Sequence, residues 1–214
     1  MPLIDISPTI SPRIAVWPGD VSFSRDVALD MTDGANLTLS AITTTVHVGA
    51  HTDAPNHYAR DGQDIAARDL ERYYGPAQVI RVDVPPGNRI LPEHVTSDIT
   101  APRVLFHTGS FPDPDHWNTD FVSLSPQLIE WLHNQGVQLV GIDTPSIDPF
   151  DDKLLESHNA VAARDMAVLE GIVLTHVTPG PYTLIALPLR LEGADASPVR
   201  AVLAPSPVLV DALW

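Results

Sequence analysis

Apolar and polar positions change their spacing several times along the chain, and each change predicts a different element. Residues 77–84 and 102–107 are two largely apolar runs with β-branched side chains, and Pro and Gly lie between them. Strands covered on both faces have this pattern, so both are predicted as buried strands. Residues 125–136 follow the helical spacing instead. Ser125 stands at a cap and Pro126 in the first turn, Leu128, Ile129, Trp131 and Leu132 follow, and Gly136 closes the segment. This is the clearest helix of the chain, and it leads directly into a predicted strand over 137–143, an α/β arrangement.

Weaker patterns fill in the rest. A surface helix is predicted from Asp64 to about Tyr74 with Gly75 as its stop, and a short helix over 158–164. The segments 21–31 and 37–46, separated by the turn signal Thr32–Asn36, predict a hairpin. A short opening strand at 2–7 and closing strands at 173–178, 183–191 and 201–210 complete the reading, with Pro-Gly-Pro and Gly-Ala-Asp-Ala-Ser-Pro turns between the closing strands. No internal repeat interrupts the chain. The expected fold is a single α/β domain over residues 1–214, with a mixed, curved or barrel-like sheet flanked by helices.

Composition narrows the partners. With 21 prolines in 214 residues, about twice the usual ~5%, short strands joined by fixed turns fit better than long helices. A formal net charge of −15 with no basic run argues against nucleic acid or an anionic membrane as partner, because like charges repel. A small-molecule substrate fits better. No stretch approaches the ~20 apolar residues of a membrane span, and Met1–Ser7 has neither a basic start nor an apolar run of signal-peptide length. A soluble, cytoplasmic protein is therefore expected. The absence of cysteine leaves only nitrogen and oxygen to hold any metal.

The chemistry is concentrated in residues 47–57, where His47, His51, Asp53 and His57 all fall on odd positions. In an extended chain these would share one face, although Gly49 and Pro55 are expected to break the strand into a strand end and a loop. Neutral imidazole with carboxylate is a ligand set for zinc and its divalent neighbours. Elsewhere the residues say less. His107 and His116 are expected to be structural or exposed, the Asp151-Asp152 loop to be solvated surface, Glu170 to end a strand, and Trp17 to sit at the mouth of the Pro18-Gly19 turn. From the residues alone, a metal-dependent enzyme, a non-catalytic metal-binding protein and a domain with structural histidines all stay open.

The stretch His47-Val48-Gly49-Ala50-His51-Thr52-Asp53-Ala54-Pro55-Asn56-His57 resembles the core pattern of the cyclase-like metal hydrolases. Ala50, Trp17-Pro18-Gly19-Asp20, the pair His158 and Glu170, and the segments 187–191 and 200–203 are similar to the bacterial kynurenine formamidase branch. That resemblance implies two zinc ions per subunit, with Mn²⁺ or another divalent metal as a variant. His47, His51 and Asp53 would hold the first metal and His158 the second, with Asp53 and Glu170 bridging. It further implies His57 as the proton donor and acceptor, Trp17 against the substrate ring, a homodimer, and hydrolysis of N-formyl-L-kynurenine to L-kynurenine and formate. An isatin-type hydrolase, which opens a cyclic amide with a related site, is the rival within the same superfamily.

Overall fold

The computed structural model describes residues 2–205. Its strands in chain order are β1 (Ile4–Asp5), β2 (Ser24–Leu29), β3 (Leu39–Thr43), β4 (His51–Asp53), β5 (Tyr74–Arg81), β6 (Arg89–Ile90), β7 (Arg103–His107), β8 (Ser123–Leu124), β9 (Leu139–Ile142), β10 (Ala167–Leu169), β11 (Gly180–Ile185), β12 (Ala196–Pro198) and β13 (Val202–Pro205). Two α-helices, α1 (Pro126–Asn134) and α2 (Glu156–Ala163), precede β9 and β10 respectively. Seven strands form a curled mixed sheet in the order β1-β13-β11-β5-β7-β9-β10. Its β5, β7, β9 and β10 are parallel, whereas β11 runs antiparallel to both β5 and β13.

Alternation along the central strands divides the core into two layers. Ile80, Val104, Phe106, Val140, Ile142 and Val168 point to one face, where they meet Leu128, Ile129 and Leu132 of α1 and Val161 of α2. Val79, Leu105, Leu139 and Leu169 point to the other and pack with Ile6, Leu174, Leu184 and Leu203. Both faces are covered, which is why adjacent positions such as Val79 and Ile80, and Val104 and Leu105, are both apolar. Helix α1 starts where its cap predicted, with Leu128 N donating to Ser125 Oγ at 3.0 Å. Helix α2 begins two residues before the predicted start.

Several expectations are corrected. Residues 64–74 form two 3-10 turns, Ile65–Ala67 and Leu70–Tyr73, because Asp64 and Asp69 each cap a turn of their own. Gly75 is not a stop but lies inside β5, beside Pro76. Strand β5 pairs with β7 only from Gln78 onward, so Pro76 sits where the strand has a single neighbour. Residues 173–178 are not a strand. The chain turns at Gly171 (φ +64°), and Val173 N then donates to Ile6 O at 2.8 Å while Leu174 and Val177 remain in the core. The strand expected over 183–191 is shorter and earlier, ending at Ile185 before Pro188. Of the one expected over 201–210, residues 202–205 are strand and 206–210 lie outside the described residues. The hairpin exists as β2 paired with β3, but both strands are exposed along their full length. Among the described residues no helix is long and apolar enough to cross a membrane.

Candidate active site

The histidine stretch is delivered by a turn and a three-residue strand, not by β3. His47 lies in the turn; His51 and Asp53 occupy alternate positions of β4 and so share one side. Thr52 faces the other way, its hydroxyl donating to Val168 O at 2.6 Å. Strand β4 is held between β12 and residue 170: Ala196 pairs with Asp53 and Pro198 with His51, while His51 and Glu170 exchange backbone hydrogen bonds of 3.1 and 2.9 Å. The next residue must be glycine. Gly171 has φ +64°, and a Cβ there would lie 2.2 Å from Gly49 O. His158 comes from the first turn of α2, whose leading amides of Ser157 and His158 donate to Asp148 at 2.9 and 3.0 Å.

These elements bring together five of the candidate residues, His47, His51, Asp53, His158 and Glu170, and all but His47 are buried. Hydrogen bonds on the outer side of each ring decide which nitrogen faces inward. His51 Nδ1 donates to Gly49 O at 2.9 Å, His158 Nδ1 to Asp148 Oδ2 at 2.8 Å, and His47 Nε2 to Asp195 Oδ2 at 3.0 Å. Each acceptor is a carbonyl or carboxylate, so the outer nitrogen carries the hydrogen and the inner one keeps its lone pair. The inner nitrogens then confront carboxylate oxygens. His47 Nδ1 is 3.0 Å from Asp53 Oδ1, His51 Nε2 is 3.2 Å from Glu170 Oε2, and His158 Nε2 is 3.4 Å from Asp53 Oδ2 and 3.5 Å from Glu170 Oε1.

Acceptors facing acceptors require positive charge between them. Both oxygens of Asp53 and Nε2 of His158 are buried without a hydrogen-bond partner, the kind of orphaned set that a cation satisfies. Proton affinities agree. Burial alone would lower the affinity of His47 for a proton, but hydrogen bonds and charge from Asp53 and Asp195 reverse this and raise its pKa to about 9. His158 is raised as well, against the effect of burial, by Asp148, Asp53 and Glu170. Burial pushes the Asp53 carboxyl up, yet His158, His47 and His51 hold it well below the usual range. The cluster thus binds positive charge strongly, and its nitrogen and oxygen donors fit a divalent metal.

His57 closes the 3-10 turn Pro55–His57 and stands at the edge of the centre, its ring 4.4 Å from that of His47. Its Nδ1 donates to Asp195 Oδ2 at 3.2 Å, the same oxygen that takes the His47 hydrogen. Trp17 lies beyond, lining a cavity of about 540 Å³ that ends on the imidazoles. Its ring packs on Phe150 at 5.1 Å and edge-on to Trp117 at 5.2 Å.

Sequence reasoning missed Asp148, Asp195, Trp117 and Phe150. The signals were slight: Asp195 stood inside a string of turn residues, and Asp148 followed a strand. Asp152 is a correction. It is not solvated surface but faces the cavity and accepts from Arg89 Nη2 at 2.6 Å; Arg89 also anchors Asp148 at 2.8 Å. His107 and His116 are outside the site, the first buried against Arg81 and the second exposed beside Asp113.

Residues 4–149 match the Cyclase family. The chain is 45% identical over 203 residues to the kynurenine formamidase of Bordetella petrii and 46% identical over 203 residues to that of Bordetella avium, in each case covering 94% of this chain and 97% of the relative. A solved structure described as a potential metal-dependent hydrolase with cyclase activity superposes with a TM-score of 0.81 at 25% identity, over 94% of this chain and 96% of that one. An isatin hydrolase bound to the product analogue thioisatinate also gives 0.81, at 20% identity, over 95% of this chain and 92% of that one. That second likeness is one of fold alone.

Proposed function

The chain belongs to the cyclase family, and from that premise we propose that it is a metal-dependent amidohydrolase that cleaves N-formyl-L-kynurenine to L-kynurenine and formate. The observation that carries this reading is the largely buried centre of three imidazoles and two carboxylates whose inner atoms are all acceptors, set at the end of an aromatic cavity. The curated relatives named kynurenine formamidase support the choice of substrate. Two Zn²⁺ ions suit the donors. His47, His51 and Asp53 would hold one and His158 the other, with Asp53 and Glu170 shared between them. When bound, such metals supply Lewis-acid polarisation of the formyl carbonyl and a lowered pKa for the attacking water.

The remaining steps belong to the chain's own side chains. With His57 Nδ1–H committed to Asp195, its Nε2 is free to take a proton from the attacking water. The same nitrogen returns that proton to the aniline nitrogen as the C–N bond breaks, so that a neutral amine and formic acid leave, and the acid gives up its own proton to solvent to become formate. Trp17, packed against Phe150 and Trp117, offers a ring face to the substrate's aromatic half and fixes its orientation. The closed end of the cavity needs to admit no more than a formyl group.

Turnover of N-formyl-L-kynurenine by chelated and zinc-restored protein, followed by kynurenine absorbance, tests this function. Activity is expected only with metal. Faster opening of isatin than deformylation would overturn the substrate assignment and leave the metal centre standing. A homodimer belongs to the same proposal. The exposed β2–β3 ribbon carries Val27, Leu29, Leu39 and Ile42 on its surface, and two strands alone are marginal in water without a covering partner. Light scattering that finds only monomer would exclude it.

A further inference from the structure

We infer that Asp20 and Lys153 form a zwitterion clamp at the mouth of the cavity, binding the α-ammonium and α-carboxylate of an amino-acid substrate. This inference rests on the formamidase reading and deepens it. It follows from the charges along the cavity wall. Five carboxylates line it, and four are already occupied. Asp53 and Glu170 belong to the imidazole centre. Asp143 accepts from the Thr108 and Gly109 amides at 3.0 and 2.8 Å and from the Thr108 hydroxyl at 2.6 Å, and Asp152 is paired with Arg89. Among the described residues Asp20 takes only the backbone N–H of Val21, at 2.8 Å. On the positive side, Lys153 is the only lysine in the sequence and, among the described residues, the only permanently cationic side chain on that wall. Among the described residues neither Asp20 nor Lys153 has an ionic partner.

Their placement is not accidental flexibility. Asp20 ends a turn closed by its own N–H onto Trp17 O at 2.9 Å, and Lys153 stands three residues after Phe150 in a loop where Asp152 N donates to Pro149 O at 3.1 Å. Trp17 and Phe150 are themselves in contact at 5.1 Å. The two turns therefore meet at one aromatic wall, each presenting one charge three residues beyond its ring. Asp152 also pins the Lys153 loop through Leu154 N at 2.7 Å, and Leu155 is held in the left-handed region at φ 51°, strain that a site-shaping loop sustains. Both charges are exposed while all of the imidazole centre but His47 is buried. A substrate whose formyl group reaches the centre and whose ring lies on Trp17 would thus leave its polar end at the rim.

Calorimetric titration of the metal-loaded full chain with L-kynurenine and with 2-aminoacetophenone, the same aryl ketone lacking the amino-acid carbons, tests the clamp. The parent should prefer L-kynurenine by roughly tenfold or more, and Lys153→Ala and Asp20→Asn should each cut that preference roughly three- to tenfold, as charge-assisted contacts at an exposed rim allow. No preference in the parent, or a preference unchanged in both variants, overturns the clamp even if formamide is turned over. A preference lost in both variants, in a protein that turns over no formamide, supports the clamp and removes the formamidase reading.

Discussion

Asp53 is within 3.5 Å of three imidazoles, so among the described residues no other carboxylate touches so much of the centre. Asp53→Ala should therefore release all bound metal, since two cations would be left repelling across a gap. Metal analysis after dialysis checks this, and two metals retained per chain would show that Asp53 does not bridge. His57 is predicted to behave differently. Among the described residues its side chain hydrogen-bonds only Asp195, and His57→Ala should keep the metal while losing on the order of 10²–10⁴ in turnover, the usual contribution of a positioned proton-transfer group. Metal loss matching that of His51→Ala would make it a ligand instead. At this scale the donor types were legible, because four of them crowd into residues 47–57. Asp195 was not, since its partners His47 and His57 precede it by 148 and 138 residues.

Elements whose stabilisation is local matched their sequence signals. Helix α1 carries its own cap, proline and glycine stop, and it stands within two residues of expectation. The segment 64–74 had equally good signals for a longer helix, but two competing aspartate caps and the pull of Tyr74 into the sheet divided it. Strand β4 is at the other extreme, three residues whose direction depends on β12 and on residue 170. Gly171→Ala tests that dependence. The added methyl would meet Gly49 O in a left-handed backbone, so it should cost about 1–3 kcal/mol and weaken metal binding by moving Glu170 away from His51. Thermal unfolding and metal content read both effects, and parent-like values in both would mean the close approach is not constraining.

For the molecule as a whole, metal, protons and the charged centre are linked. In metal-free protein His47, with its pKa raised to about 9 by Asp53 and Asp195, holds a proton at neutral pH that a metal must displace. Affinity should therefore fall as pH falls, with the logarithm of the binding constant changing by about one or more per pH unit between roughly pH 6 and 8. Titration calorimetry across buffers measures the protons released, and a binding constant independent of pH would contradict the arrangement. The sequence by itself determined the donor set, the nitrogen- and oxygen-only character of any metal site, the helix at 126–134 and the buried strands, because composition and short-range periodicity act over a few residues. Only the tertiary structure decided that Glu170 meets His51, that Asp148 and Asp195 turn the imidazole lone pairs inward, and that Trp117 and Phe150 wall the cavity with Trp17. Those contacts join distant segments through sheet order and glycine-tight backbone approach, which no local spacing encodes.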